Sequence, residues 1–398
     1  MTSQGDARLL AVAERALAWA KARDYAGYSK HDGLNSPWLR RLAVGGKWPR
    51  LVLIQAVMRA PLNLRPVLKV APCRDPKGIA LFARAWLDHH AVTGDPGSAR
   101  DARALLDWLL ESSATGFPGA SWGYPYPWQD AGFFAPAGFP NRIVTFFVGR
   151  ALVHGFDVLG DSRYLDAARA ACEFILRAPK VLYEDERQKC LSYVPSAAMK
   201  MAVLDISPLC GSLCALVGAR VGDRALVDEG RKLVAFAVDK QTEYGGFWYT
   251  HPPEDSHITH DNYHTGEIVE ALREFGLATG EPVFDAAFHK GLAHYRRDLF
   301  TAELRPKWMW DREYPHDIHG YAVGVLTFTG AGDLDTARRI AAAALEEMWD
   351  EGDGRFYYQR RRRFTIRFTL MRWCQAWMSH ALLALLRGAK AAAGDAHA

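Results

Sequence analysis

Apolar residues recur at helical spacing in one segment after another, and two kinds of segment alternate along the chain. Residues 98–110, 162–176, 223–238, 282–299 and 333–349 are amphipathic, with Ala-rich apolar faces opposite Arg, Glu and Asp. Residues 77–93, 141–159, 207–221, 263–279 and 317–328 are apolar nearly all round. A helix that is apolar on every side is buried on every side. The pattern therefore predicts an outer and an inner set of helices.

Short Gly-Asp-like segments separate each inner helix from the outer helix after it. Their glycines are Gly94, Gly160, Gly222, Gly280 and Gly332, at intervals of 66, 62, 58 and 52 residues. Gly ends one helix in the left-handed conformation, and the following acidic residue, or a Ser next to it, caps the next. A recurrence of this kind marks an array of αα-hairpins. Two helices remain: 7–23 is outer-like, and 369–386 is inner-like and has no partner after it. If the first packs outside the last, six inner and six outer helices close into an all-α (α/α)6 toroid. The competing reading is an open helical solenoid, which needs polar caps at both ends; the apolar last helix argues against it. Residues 1–390 are read as one toroid domain and 391–398 as a disordered tail.

A second repeat precedes the inner helices: aromatic, strand-like patches at 122–128, 190–193, 246–249, 307–310 and 355–358. In a ring of hairpins, all connections into the inner helices emerge on one face. The patches are thus expected as short β-hairpins or loops around a single funnel. Trp122, Tyr124, Trp128, Trp248, Trp308 and Trp310 offer flat faces for sugar rings there.

With its Gly-Asp junctions, its aromatic patches and the run from His260 to Glu267 (His-Asp-Asn-Tyr-His-Thr-Gly-Glu), the chain resembles the six-hairpin glycosidase-like superfamily of (α/α)6 toroids. That group includes glycoside hydrolases, unsaturated glucuronyl hydrolases, N-acyl-glucosamine 2-epimerase-like isomerases and toroid domains of polysaccharide lyases. The His260–Glu267 run also resembles one in uncharacterised proteins of bacterial polysaccharide clusters. The resemblance implies a carbohydrate-active enzyme. It transfers no catalytic residue, because the chain carries no named hydrolase signature.

Polar residues gather where the inner helices begin. Glycosidic hydrolysis needs two carboxyl groups flanking one bond, roughly 6.5–9.5 Å apart for inversion, and packed helices lie ~8–10 Å apart. Asp261 and Asp317 hold equivalent places on consecutive inner helices, each followed within three residues by a His (His264, His319). They are the preferred catalytic pair, with Asp32 and Asp130 as further candidates. Asp75 and Asp205 read as helix caps. Lyase or C5-epimerase chemistry on a uronate would use Tyr263 and His264 with Asn262. His260 and His264 stand four apart, but the helix start falls between them, so no metal and no cofactor are expected.

Charge refines the substrate. The chain has 49 Lys+Arg against 45 Asp+Glu, a net +4, and six Arg lie between Arg360 and Arg372. The basic character is local, which argues against nucleic acid. Arg360, Arg362 and Arg367, together with Arg142 at an inner-helix start, suggest bidentate binding of an anionic glycan, an acidic oligo- or polysaccharide. Binding without catalysis, as a subunit of a polysaccharide assembly system, is the third reading. Six scattered Cys, the absence of a signal-like N-terminus and the absence of an apolar run of ~18 residues point to a cytoplasmic chain with no membrane span. The oligomeric state is left open.

Overall fold

Three of the five Gly-Asp junctions fold fully as their chemistry dictates; Glu281 makes no cap bond, and the helix before Gly332 ends on Ala331 rather than on that glycine. Gly94, Gly160, Gly222 and Gly280 end their helices in the left-handed region, at φ 77°, 70°, 69° and 72°. Asp95, Asp161, Asp223 and Asp333 then accept backbone N–H groups of the next helix. In the computed structural model, which describes residues 4–395 apart from 131, 179 and 197, these turns organise the whole chain.

The helices in chain order are α1 (Gln4–Lys21), α2 (Pro37–Leu42), α3 (Lys47–Arg59), α4 (Pro76–Thr93), α5 (Pro96–Glu111), α6 (Arg142–Leu159) and α7 (Ser162–Arg177). They continue with α8 (Ile206–Val221), α9 (Arg224–Asp239), α10 (Asn262–Thr279), α11 (Asp285–Asp298), α12 (Ile318–Gly330), α13 (Leu334–Met348) and α14 (Trp377–Asp395). A π-helical turn, Met371–Ala376, leads into α14. The inner helices α4, α6, α8, α10, α12 and α14 pack each on the next, and α14 packs on α4, which closes the ring. Outside them lie α5, α7, α9, α11, α13 and, against α14, the first helix α1. The fold is an all-α (α/α)6 toroid, and the open solenoid is excluded.

Two features differ from the sequence reading. Residues 391–395, assigned to a disordered tail, continue α14, while 396–398 lie outside the described residues. Residues 37–59 form α2 and α3, an excursion between α1 and α4 that carries no Gly-Asp junction to announce it. Helix α3 rests on the turn Asp32–Asn35 and on the strand Trp128–Gln129.

The connections into the inner helices carry short antiparallel pairs. Trp128–Gln129 pairs with Phe134–Ala135, Val181–Glu184 with Lys189–Leu191, Ala202–Val203 with Thr250–His251, and Trp349–Asp350 with Arg355–Phe356. Gln359–Arg360 lies between Thr365–Ile366 and His316–Asp317. At the other end of the ring a buried ionic cluster fills the middle. Wholly buried Asp88 meets Arg387 at 2.5 Å and His154 and His380 at 3.6 Å, and Arg150 pairs with Glu274.

Layers α8 and α9 approach most closely where Gly211 faces Gly230. A Cβ on Gly211 would stand 2.5 Å from the Gly230 carbonyl oxygen, and one on Gly230 would stand 2.6 Å from that of Gly211. Backbone cannot step aside as a flexible side chain can. Gly211→Ala should therefore cost about 1–3 kcal/mol of stability, seen as a lower urea midpoint with an unchanged m value.

Candidate active site

One cavity of about 270 Å3 lies at the N-terminal ends of the inner helices. Every inner helix or its lead-in contributes a side chain: Lys77 from α4, Ile143 from α6, Asp205 before α8, Tyr263, His264 and Glu267 from α10, His319 from α12, and Arg372 and Trp373 from the π turn. The aromatic connections add Tyr124, Trp128, Tyr193, Tyr249 and Trp308, and Lys30 and His31 enter from the loop after α1. Helix α3 covers one side with Leu51, Gln55, Met58 and Arg59.

Capping decides which carboxylates are free to act. Asp75, Asn141 and Asp317 cap α4, α6 and α12, accepting from Lys77 N at 3.0 Å, Val144 N at 2.9 Å and His319 N at 3.0 Å. Asp205 stands at the cap position of α8 but makes no cap bond. Its Oδ1 has no hydrogen-bond partner among the described residues, although the residue is buried on the cavity wall. Glu267 Oε1 is likewise without a partner. Buried polar atoms left open in this way are suited to ligand hydroxyls.

Electrostatics separates the two carboxyls. Burial pushes Asp205 up to about 6, and nearby Glu267 and Asp261 push the same way against His264 and Lys77. Burial also pushes Glu267 up, but Lys77, His319 and His264 outweigh it and hold it below its ordinary value. Burial lowers Lys77 and Lys30, each to about 8. His264 is pulled down by burial, yet Asp261 and Asp205 carry it to about 9, and its Nδ1 lies 2.7 Å from Asp261 Oδ2. Burial lowers His319 to about 4 against the pull of Glu267, whose Oε1 lies 3.7 Å from its Nε2. The cavity thus holds a protonatable carboxyl, an ionised one, a cationic imidazole and a neutral one. Tyr263 lies between the imidazoles, its ring 4.3 Å from His264 and 4.6 Å from His319.

The predicted residues divide sharply. Tyr124, Trp128, Asp130, Tyr263, His264, Trp308 and His319 line the cavity. Asp317 does not; besides its cap bond it accepts from Trp373 Nε1 at 2.7 Å and from Gln359, and its cap geometry keeps it behind the wall. Asp261 is buried behind His264. Asp32 is a structural ion, 2.7 Å from buried Arg65 and bonded by Ser29 N. Arg142 is spent on the carbonyls of Ile175 and Ser192, and Asn262 on Leu299 O and Tyr295. Trp122 donates to Leu109 O, Trp248 packs on His260, and Trp310 stacks on Tyr244 at the surface. None of these lines the cavity. Pairing of Gln359–Arg360 with His316–Asp317 directs Gln359 onto Asp317 and leaves Arg360 3.9 Å from Glu347. Arg362 is exposed, and Arg367 lines a separate groove with Phe368 and Tyr28. Of the Arg run only Arg372 reaches the cavity, 2.8 Å from Asp75. His260 bonds Tyr244 at 2.8 Å and points away from His264's cavity.

Lys30, Lys77, Asp205, Glu267 and Arg372 were not singled out from the sequence as site residues. The signal for Lys77 and Glu267 was present: each is a charge within the first two turns of a helix that is otherwise buried all round.

No protein-family model and no curated protein sequence matches the chain. Solved structures do match in shape. A sugar epimerase from a ruminal bacterium superposes with a TM-score of 0.63 at 12% identity, over 79% of this chain and 87% of that one. An unsaturated glucuronyl hydrolase specific for heparin gives 0.60 at 11%, over 98% of each chain. An alpha-mannanase of Bacteroides thetaiotaomicron gives 0.57 at 12%, over 81% and 88%. What these proteins share with the chain at such identities is architecture, and the chain has the (α/α)6 toroid fold of the six-hairpin glycosidase-like proteins.

Proposed function

We propose that the protein is a carbohydrate-active enzyme that cleaves a glycosidic bond in an acidic saccharide bound in the toroid cavity. The reading rests on Asp205: a buried cavity carboxyl, released from capping and held near 6, in the same pocket as a carboxylate, Glu267, that stays ionised. Such a divergence assigns an acid and a base. Asp205 gives its proton to the glycosidic oxygen as the bond to the anomeric carbon breaks. Glu267 takes a proton from the water whose oxygen bonds to that carbon. Tyr124, Trp128, Tyr249 and Trp308 supply flat faces for sugar rings. Lys30, its ammonium 3.9 Å over Trp373, and Arg59 supply positive charge for a substrate carboxylate. The toroidal neighbours include an epimerase, a mannanase and a glucuronyl hydrolase, which supports sugar chemistry in this fold. Six unpaired thiols, five of them buried, support a reducing, cytoplasmic setting.

A second reading has its own support. Cationic His264 and neutral His319 flank Tyr263 and form an acid–base set for proton transfer at a sugar carbon, as in epimerisation or β-elimination. Products separate the readings: new reducing ends mark hydrolysis, solvent deuterium at carbon without cleavage marks epimerisation, and an unsaturated uronate chromophore marks elimination.

With an acidic oligosaccharide as substrate, Asp205→Asn and Glu267→Gln should each lower kcat about 10²–10⁴-fold with little change in KM. Asp317→Asn should act on thermal stability instead. Retained turnover in Asp205→Asn would contradict the assignment. The acid form of Asp205 is lost as pH rises through about 6, so kcat should fall on that limb. The acidic limb should lie below the ordinary glutamate value, because Glu267 remains ionised there.

A further inference from the structure

The stretch from Gly33 to Arg74, inserted between α1 and α4, has a composition unlike the rest of the chain. It contains eight Lys/Arg and no Asp/Glu. Arg65 and Arg74 are taken up by Asp32 and Asp24. The other six are Arg40, Arg41, Lys47, Arg50, Arg59 and Lys69, and all but the half-buried Arg50 are exposed.

Large apolar side chains stand among these charges. Trp38 and Leu42, one turn apart on α2, are 45% and 65% exposed; Trp48 and Val52, one turn apart on α3, are 72% and 63% exposed. Leu62 and Val67 in the following loop are 73% and 72% exposed. Of the seventeen large apolar side chains exposed among the described residues, eight fall between positions 38 and 67. Lys47 and Lys69 lie 5.4 and 5.2 Å from the rings of Trp48 and Trp38, so cation and indole share the same surface. The other side of α3 presents Leu51, Gln55 and Met58 to the cavity. The excursion therefore has one face on the cavity and one face, apolar and uniformly basic, toward solvent.

We propose that this outer face docks the protein on an anionic lipid surface. A protein partner of ordinary mixed charge has no use for a face that carries Arg40, Arg41, Lys47, Arg50 and Lys69 without one anion from the same stretch. A bilayer with acidic headgroups matches both components: it takes Trp and aliphatic side chains at the interfacial level and Lys and Arg at the phosphates. Among the described residues no helix is long and apolar enough to cross a membrane; the attachment proposed is peripheral. Because α3 borders the cavity, docking sets the cavity mouth beside the headgroups. Docking itself is independent of the reaction proposed above.

The test is co-sedimentation of the intact protein with phosphatidylcholine vesicles and with vesicles carrying about one-third phosphatidylglycerol. Binding should be roughly tenfold or more tighter to the anionic vesicles and should weaken as salt screens the charges. Trp48→Ser with Val52→Ser should lower it roughly tenfold or more. Arg40→Glu with Arg41→Glu and Lys69→Glu should remove the preference for anionic lipid. All these positions are exposed, and circular dichroism and melting temperature confirm that the variants fold. Failure to bind either vesicle, or equal binding by folded variants, would overturn the proposal. So would a concentration-dependent dimer abolished by the Trp48→Ser, Val52→Ser change, which would give the face to a second copy of this chain.

Discussion

Closure of the inner ring, α14 against α4, is the constraint on which the other features depend. Once the ring closes, the inner helices have no solvent face, and their sequences must be apolar on all sides. Once all six run the same way, their N-termini and lead-in loops converge on one cavity. The Gly-Asp junctions enforce the geometry locally, because a left-handed Gly and an acidic cap leave the chain little choice but to reverse. The first helix α1 completes the outer layer against the last inner helix, so the two ends of the chain meet in one packing unit.

Burial then shapes the chemistry. A charge in the ring interior has lost water and must be neutralised, paired or shifted. The structure uses all three outcomes. Asp32 and Asp317 are paired or saturated with donors and serve the fold. Asp205 keeps an unbonded oxygen and shifts upward. Glu267 remains ionised because Lys77 and the imidazoles outweigh its burial. The same carboxylate chemistry thus yields a strut at one helix start and an uncapped carboxyl on the cavity wall at another, according to whether the backbone N–H groups claim it.

The architecture was legible because it is written in periodic features: five junction glycines, two alternating helix types and the aromatic lead-ins. Four of the five aromatic patches reach the cavity; in the 355–358 patch Phe356 and Tyr358 are buried in the core instead. The cavity was legible in part. Tyr263, His264 and His319 follow from their place on the first turn of inner helices. The carboxylates were harder, because an Asp at a helix start reads the same whether or not it caps. Asp317 caps and Asp205 does not, and only the local backbone separates them. The Arg run misled because strand pairing of Gln359–Arg360 turns most of it outward. Helices α2 and α3 escaped notice because they lie outside the repeat.

The most direct measurement is a crystal structure of the Asp205→Asn protein with a bound acidic oligosaccharide. The account predicts sugar rings against Trp128 and Trp308, a glycosidic oxygen within hydrogen-bond distance of residue 205, and Glu267 beside the anomeric carbon. A saccharide seated in the Arg367 groove, or one whose glycosidic bond lies away from both positions, would contradict it.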